Sequence, residues 1–301
     1  MDPKRIVVIG SSNTDMVIKT SKLPAPGETI LGGDFFMNAG GKGANQAVAA
    51  ARLGGKVSLI AKTGDDVFGR QARQNFENDQ INCDCLVTDP NLPSGVALIT
   101  VDARGENCIV VAPGANRSLG KTDIDHAREE ILRSELILMQ LEIPIESVSY
   151  AANIAFDAGI KVILNPAPAA KIPDELLSGL FMITPNETEA ELISGIPVVD
   201  MESARHAAQN LYDRGVKVVV ITLGSKGAFL FTGDKALVVP SPKVEAIDTT
   251  AAGDVFNGAI AVAISEGMEL EKAVEFACGA ASISVTRMGA QSSAPHRTEI
   301  V

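Results

Sequence analysis

Tryptophan is absent from the 301 residues and tyrosine occurs only twice, so the aromatic platforms on which nucleic-acid bases stack are missing. Histidine is scarce as well. His126, His206 and His296 are scattered, which argues against a histidine-built metal centre. The four cysteines, Cys83, Cys85, Cys108 and Cys278, form no C-x-x-C pair and suggest no disulfide framework, which fits a reducing, cytoplasmic setting. Basic residues are the minority, 26 Lys and Arg against 37 Asp and Glu, and the net charge of −11 leaves no basic footprint for nucleic acid. An acidic chain can still bind an anion through a local cluster of backbone N–H groups. No apolar run approaches the ~18 residues needed to span a bilayer, so no membrane partner is expected. The opening "MDPKRIVVIG" runs straight into a strand-like segment, and no leader peptide is expected.

What is present is a globular composition, 46% hydrophobic and 21% charged, long enough for one large domain or two modest ones. Short, β-branched apolar runs recur: "RIVVIG", "KVSLIAKTG", "ELILMQLE", "KVILNPAP", "LFMITPNE" and "KVVVITLG". Such runs fit strands buried on both faces of a parallel sheet. Amphipathic stretches at 67–79, 123–133, 146–158 and 201–214 lie between them, which predicts an α/β layered fold with right-handed crossovers. Residues 14–38 and 95–112 break the pattern. Both alternate apolar and polar, the second as a hairpin turning at Ala103–Asn107. They read as two excursions that meet in a small antiparallel sheet beside the main domain; the alternative is a pair of edge strands of the main sheet. A small sheet without a covering helix needs a substrate or a partner subunit against it.

"DTTAAGDVFNGA", 248–259, places a carboxylate, Asp254, between small residues and an apolar helix that ends near Gly267. The helix is expected to start near Gly253–Asp254. N–H groups without partners and the helix dipole make such a start an anion cradle, and Ala251, Ala252 and Gly253 leave it open to close approach. Asp254 either caps this helix or acts on a group held beside the anion. A hydroxyl attacking a phosphoryl group would occupy that place. "NAGGKGANQAVAAARLGG", 38–55, enters an Ala-rich helix through Gly40, Gly41 and Gly43, with Lys42 and Asn45 offering polar groups for a polyhydroxylated ligand. It is not a G-x-G-x-x-G fingerprint, because position 46 is Gln, so a nicotinamide-dependent enzyme is a poor reading. "GANRSLGKT", 114–122, resembles a Walker A loop but has five residues between its glycines where four are required.

Polar groups also gather at the ends of the strand-like runs, where ligands of open α/β sheets bind. "GSSNTD" supplies Asn13 and Asp15, "QLE" supplies Glu142, and "TPNETE" supplies Asn186 and Glu189. A Glu near triphosphate oxygens suits hydrated Mg²⁺. "TLGSKGAF" offers a backbone surface for a nucleotide around Gly224 and Gly227.

"GGKGAN", "TPNETE" and "DTTAAGDVFNGA", in this order and spacing, resemble the ribokinase/PfkB carbohydrate kinase family, and the likeness runs from "GSSNTD" to "TRMGAQSS". The resemblance implies a single catalytic domain over 1–301. Its fold would be a three-layer α/β/α, mostly parallel sheet with an antiparallel lid formed by the two excursions. It implies a sugar site of Asn13, Thr14, Asp15, Gly41, Lys42, Gly43, Ala44, Asn45 and Glu142. Asp254 would be the base acting on O5 of D-ribose, with the Ala251, Ala252, Gly253 and Asp254 backbone as anion hole. ATP and Mg²⁺ would be served by Asn186, Glu189, Thr222, Leu223, Gly224, Ser225, Lys226 and Gly227. The resemblance would put Cys278 near the adenine, where relatives often carry His or Asn. An activating K⁺ would lie among Asp248, Thr250, Ser284, Arg287, Gly289 and Ser293, and two lids would clasp into a homodimer. Relatives with the same motifs phosphorylate deoxyribose, nucleosides and other sugars. A catalytically silent sugar-binding protein on the same fold is the reading from another functional class.

Overall fold

The computed structural model describes residues 5–300. Its strands are β1 (Arg5–Ile9), β2 (Asn13–Lys19), β3 (Phe35–Gly40), β4 (Lys56–Gly64), β5 (Leu86–Asp89), β6 (Gly95–Val101), β7 (Asn107–Ala112), β8 (Leu136–Met139), β9 (Lys161–Leu164), β10 (Met182–Ile183), β11 (Val218–Thr222), β12 (Ala228–Phe231) and β13 (Ala236–Val239). Its helices are α1 (Lys42–Arg52), α2 (Val67–Asn78), α3 (Lys121–His126), α4 (Arg128–Leu132), α5 (Ile145–Asp157), α6 (Asp174–Leu177), α7 (Glu187–Ser194), α8 (Met201–Asp213), α9 (Ala252–Ser265) and α10 (Leu270–Ser284).

Nine strands form one sheet in the order β13-β12-β11-β10-β9-β8-β1-β4-β5. The strands from β11 to β5 pair in parallel, and β12 and β13 add an antiparallel edge. Alternation along β1 explains the layering. Ile6 and Val8 enter the core shared with α1, α9 and α10, while Val7 and Ile9 enter the opposite core with α5 and α8. Because β1 lies between β8 and β4, strand order reverses there, and a crevice opens at the carboxyl ends of β1 and β8.

The two excursions form a separate four-stranded sheet, β3-β2-β6-β7, not edge strands of the large one. It is mixed rather than antiparallel. β2 pairs antiparallel with β3 but parallel with β6, because each excursion leaves the main body in the same direction. The expected helix over 123–133 is two short helices. The break falls at Ala127, whose N–H is shared between the carbonyls of Asp123 and Ile124. The segment that imitates a Walker A loop is a 3₁₀ turn, Gly114–Ser118, leading into α3.

Two close approaches set the site. A Cβ at Gly43 would lie 2.6 Å from the Gly10 carbonyl carbon, so α1 begins hard against the end of β1. A Cβ at Gly258 would lie 2.7 Å from Gln46 O and from Ala49 Cβ, so α9 crosses α1 nearly backbone to backbone. No helix among the described residues is long and apolar enough to cross a membrane.

Candidate active site

The ends of the parallel strands meet the first turns of α1, α7 and α9 around a cavity of about 230 Å³. Lys42, Asn165, Thr184, Asn186, Glu189, Thr222 and the turn Ala251–Asp254 line it.

α9 begins at Ala252, one residue before the expected Gly253–Asp254, because Ala251 takes the left-handed conformation (φ 58°) and turns the chain into the helix. The Val255 N–H is the first to join the helical ladder, to Ala251 O at 2.9 Å, and the Ala252 N–H reaches Thr249 O. The N–H groups of Gly253 and Asp254 stay outside the ladder at the positive end of the helix dipole, facing the cavity. A Cβ on Gly253 would meet nothing within 4 Å, so an anion has room against the backbone.

Asp254 is the third residue of the helix, and it does not cap it. Its Oδ2 accepts from Asn45 Nδ2 and its Oδ1 from Gln46 Nε2, both at 2.9 Å. The close crossing at Gly258, one turn further along, brings these two α1 side chains within reach. Burial pushes the Asp254 carboxyl above the ordinary Asp range, opposed by Lys42 and by the two amides. A buried carboxylate with raised proton affinity is suited to take a proton from a hydroxyl.

Three more carboxylates share the site with one lysine. Burial, then Glu142 and Asp254, push Asp15 up to about 6 against the pull of Lys42. Glu142 Oε2 accepts from the Ser11 hydroxyl (2.6 Å) and from the Lys42 N–H (3.1 Å), joining the ends of β8 and β1 to the start of α1. Burial raises Glu189, opposed by the Asn186 N–H and by Lys42. Burial would lower Lys42, yet Asp254, Glu142, Glu189 and Asp15 outweigh it and hold the ammonium above its usual range. Lys42 therefore stays charged between a carboxylate-rich end and the turn that carries the unpaired Gly253 and Asp254 N–H groups.

Among the other expected residues, Asn13 is buried with its Oδ1 accepting from Asn116 Nδ2 (2.8 Å). Gly41 needs its φ of 88° and its missing Cβ, which would lie 2.7 Å from Asn13 N. The Thr14 side chain lies on the opposite face of β2 from those of Asn13 and Asp15. Gly43 and Ala44 shape the turn and do not line the cavity: Gly43 packs on Gly10, while Ala44 is fully buried and its N–H is bonded to Ser11 O. Asn45 holds Asp254, and its Oδ1 is buried without a partner.

Asn186 and Glu189 form a reciprocal capping box at the start of α7, and Thr222 bridges to Asn186. Gly224 and Gly227 have positive φ in the turn after β11, with Ser225 and Lys226 exposed and Leu223 in the core. Cys278 is buried on α10 in the core shared with α9 and β12, and it does not line this cavity. Asp248 accepts from the N–H groups of Thr250 (2.9 Å) and Gly289 (2.8 Å), and these bonds hold its carboxyl below the usual range despite burial. Ser284 and Ser293 are buried nearby on the 284–293 segment, whereas the Arg287 guanidinium turns outward to Glu299.

Sequence reasoning missed a set of buried amides. Gln46, Gln140, Asn165 and Asn257 with Thr184 surround Asp254, and Asn116 orders Asn13. The available signal was an amide standing alone in an apolar run, as Gln46 does in "ANQAVAAA" and Asn257 in "DVFNGAIAVAIS".

Residues 3–297 match the pfkB family of carbohydrate kinases. A ribokinase of Haemophilus influenzae is 46% identical over 296 residues, covering 98% of this chain and 97% of its own. A deoxyribokinase of Salmonella typhi is 41% identical, covering 96% and 95%. The crystal structure of a ribokinase from Thermotoga maritima matches with a TM-score of 0.91 at 41% identity, covering 99% and 98%. The Arabidopsis thaliana ribokinase complexed with ribose and ATP matches with a TM-score of 0.92 at 33% identity, covering 100% and 98%.

Proposed function

The chain belongs to the pfkB carbohydrate kinase family, and from that premise we propose that it transfers the γ-phosphoryl group of ATP to O5 of D-ribose, giving D-ribose 5-phosphate and ADP. The observation that carries this reading is that one helical turn supplies both the unladdered N–H groups of Gly253 and Asp254 and the Asp254 carboxylate. Asp254 accepts the O5 proton as the O5–Pγ bond forms. The bond between Pγ and the β,γ-bridging oxygen breaks, the electron pair leaves on ADP, and the proton passes from Asp254 to solvent. The N–H groups, the dipole of α9 and the Lys42 ammonium meet the charge on the moving phosphoryl group. Asn13, Asp15, Gly41 and Glu142 hold the sugar hydroxyls at the opposite end.

Among the described residues no cluster of three or more His, Cys, Asp or Glu is arranged to hold a metal, and Glu189 is a buried carboxylate lining the nucleotide end of the cavity. That donor set fits Mg²⁺ carried in by the triphosphate with its waters, Glu189 standing behind them. Mg²⁺ supplies charge neutralisation at the β- and γ-phosphates. A K⁺ fits the ionised Asp248 and the carbonyls of 284–293, with Arg287 offering only its carbonyl because its side chain is paired with Glu299. It would add positive charge behind the turn that receives the phosphoryl group.

The exposed face of the small sheet carries a row of Met37, Leu98 and Val110 in register across the strands. We place that face against the same face of a second copy, as a homodimer, and place the protein in the cytoplasm.

A coupled ADP-release assay tests the reading. The wild type should release ADP with ribose, faster in K⁺ than in Tris buffer. Asp254→Asn should lose about 100- to 10,000-fold in kcat while calorimetry still records ribose binding. Near-normal kcat in that variant would remove Asp254 from its role. The 41% identity to deoxyribokinases favours 2-deoxyribose as the second substrate to weigh, and kcat/KM for the two sugars separates them.

A further inference from the structure

Asp254 has two protein partners, and the second belongs to a closed polar circuit. Gln46 Nε2 donates to Asp254 Oδ1 (2.9 Å) and to Asn165 Oδ1 (3.0 Å), and Gln46 Oε1 accepts from Gln140 Nε2 (2.5 Å). Asn165 Nδ2 donates to Thr184 O (3.1 Å), the Thr184 hydroxyl donates to Asn257 Oδ1 (2.6 Å), and Asn257 Nδ2 donates to Gly253 O (2.8 Å). The circuit thus leaves the first turn of α9 at Asp254 and returns to it at Gly253.

Its direction has one solution. Backbone carbonyls only accept, so Thr184 O and Gly253 O orient the amides of Asn165 and Asn257. Asn165 Oδ1 must then face Gln46, which turns the Gln46 NH₂ toward Asp254. Gln46 and Gln140 are fully buried, and Asn165, Thr184 and Asn257 nearly so. Asn165, Thr184 and Asn257 border the cavity, but Gln46 and Gln140 are sealed from it, and Gln140 Oε1 is already buried without a partner, so losing the bond between them leaves a further buried group unsatisfied.

We infer that Gln46 is a positioning residue for the transfer: it holds the Asp254 carboxylate in one orientation and ties it to the turn that receives the phosphoryl group. This rests on Asp254 being the base. The donated hydrogen bond favours the charged carboxylate, opposing burial, so Gln46 also keeps the base unprotonated. The other groups that act on Asp254 are Lys42 from the start of α1, Glu142 after β8, Glu189 on α7 and Asp15 on β2. None of these is altered by a change at position 46, and Asn45 continues to hold Oδ2.

The test is steady-state kinetics from pH 5 to 9 on the wild type and on Gln46→Met, Gln140→Met and Asp254→Asn. Gln46→Met keeps the side-chain length and removes both hydrogen-bonding functions. We expect kcat to fall about 10- to 100-fold with the KM values for ribose and ATP within about twofold. The acid limb of the kcat profile should move upward by about half a pH unit or more. Gln140→Met, which frees the Gln46 carbonyl without touching Asp254, should move kcat and the limb in the same directions by less, and it stands in if Gln46→Met does not fold. A folded Gln46→Met with kcat within about threefold of wild type and an unmoved limb overturns the inference, as does a loss confined to KM. If Asp254→Asn is as active as wild type, the base assignment itself has failed. If it is inactive while Gln46→Met is normal, only the positioning role has.

Discussion

Asp15 carries its charge at a cost. Burial and the neighbouring carboxylates Glu142 and Asp254 lift its carboxyl to about 6. In the proposed reading ionised Asp15 accepts hydrogen bonds from sugar hydroxyls, and protonation removes the charge that strengthens them. KM for the sugar should therefore rise as the pH falls through about 6, while saturating ribose restores part of the rate. The folded state binds this proton more readily than the unfolded chain, so stability declines as the pH rises from about 4 to 6, and the penalty is complete above that. Asp15→Asn should raise unfolding free energy by ~1–3 kcal/mol at pH 8. The gain should shrink toward pH 4, and sugar affinity should fall. Denaturant melts at the two pH values check this, and no gain at pH 8 would contradict the assigned burden. Residues of this kind were legible in the sequence because they stand at motif boundaries beside glycines. Gln46 was not. Its partners Asn165 and Asp254 lie 119 and 208 positions away, and only the crossing of α1 and α9 brings them together.

The elements that set the site are packed through small residues. α1 and α9 approach so closely at Gly258 that a Cβ there would lie 2.7 Å from Gln46 O and 2.8 Å from Ala50 N. Gly258→Ala must push the helices apart, at about 1–3 kcal/mol of stability. Asn45 and Gln46 would be drawn away from Asp254, and kcat should fall by about tenfold or more. A variant with unchanged melting and unchanged kcat would show that the crossing has slack. The strands of the parallel sheet were readable as continuous β-branched runs, since both their faces are covered. β5 is short and partly exposed, and its segment, Leu86–Asp89, carries no such run. The division of 121–132 into α3 and α4 was equally hidden, because Ala127 is a good helix former and the break rests on a shared hydrogen bond.

At the scale of the whole molecule, the small sheet leaves Phe35, Met37, Leu98 and Val110 about half exposed or more on one face. Met37→Lys combined with Val110→Lys should convert a dimer to a monomer in sedimentation velocity, with a higher KM for the sugar as the sheet loses its backing. A monomeric wild type would remove the assigned partner. The path of the chain through this sheet constrains how the pocket can open. β1 ends at Ile9, and four residues later the same strand path becomes β2, with Asn13 and Asp15 at its root; β3 then returns through Gly40 and Gly41 directly to Lys42. In the proposed reading, the fingers that would grip the pentose are thus the knuckles of the flap itself. An outward swing of that flap would carry Asn13 and Asp15 off the sugar in the same stroke, so unlatching and letting go of the carbohydrate would become one mechanical event, while the proposed nucleotide footing on α7, α9 and the turn after β11 would stay with the body.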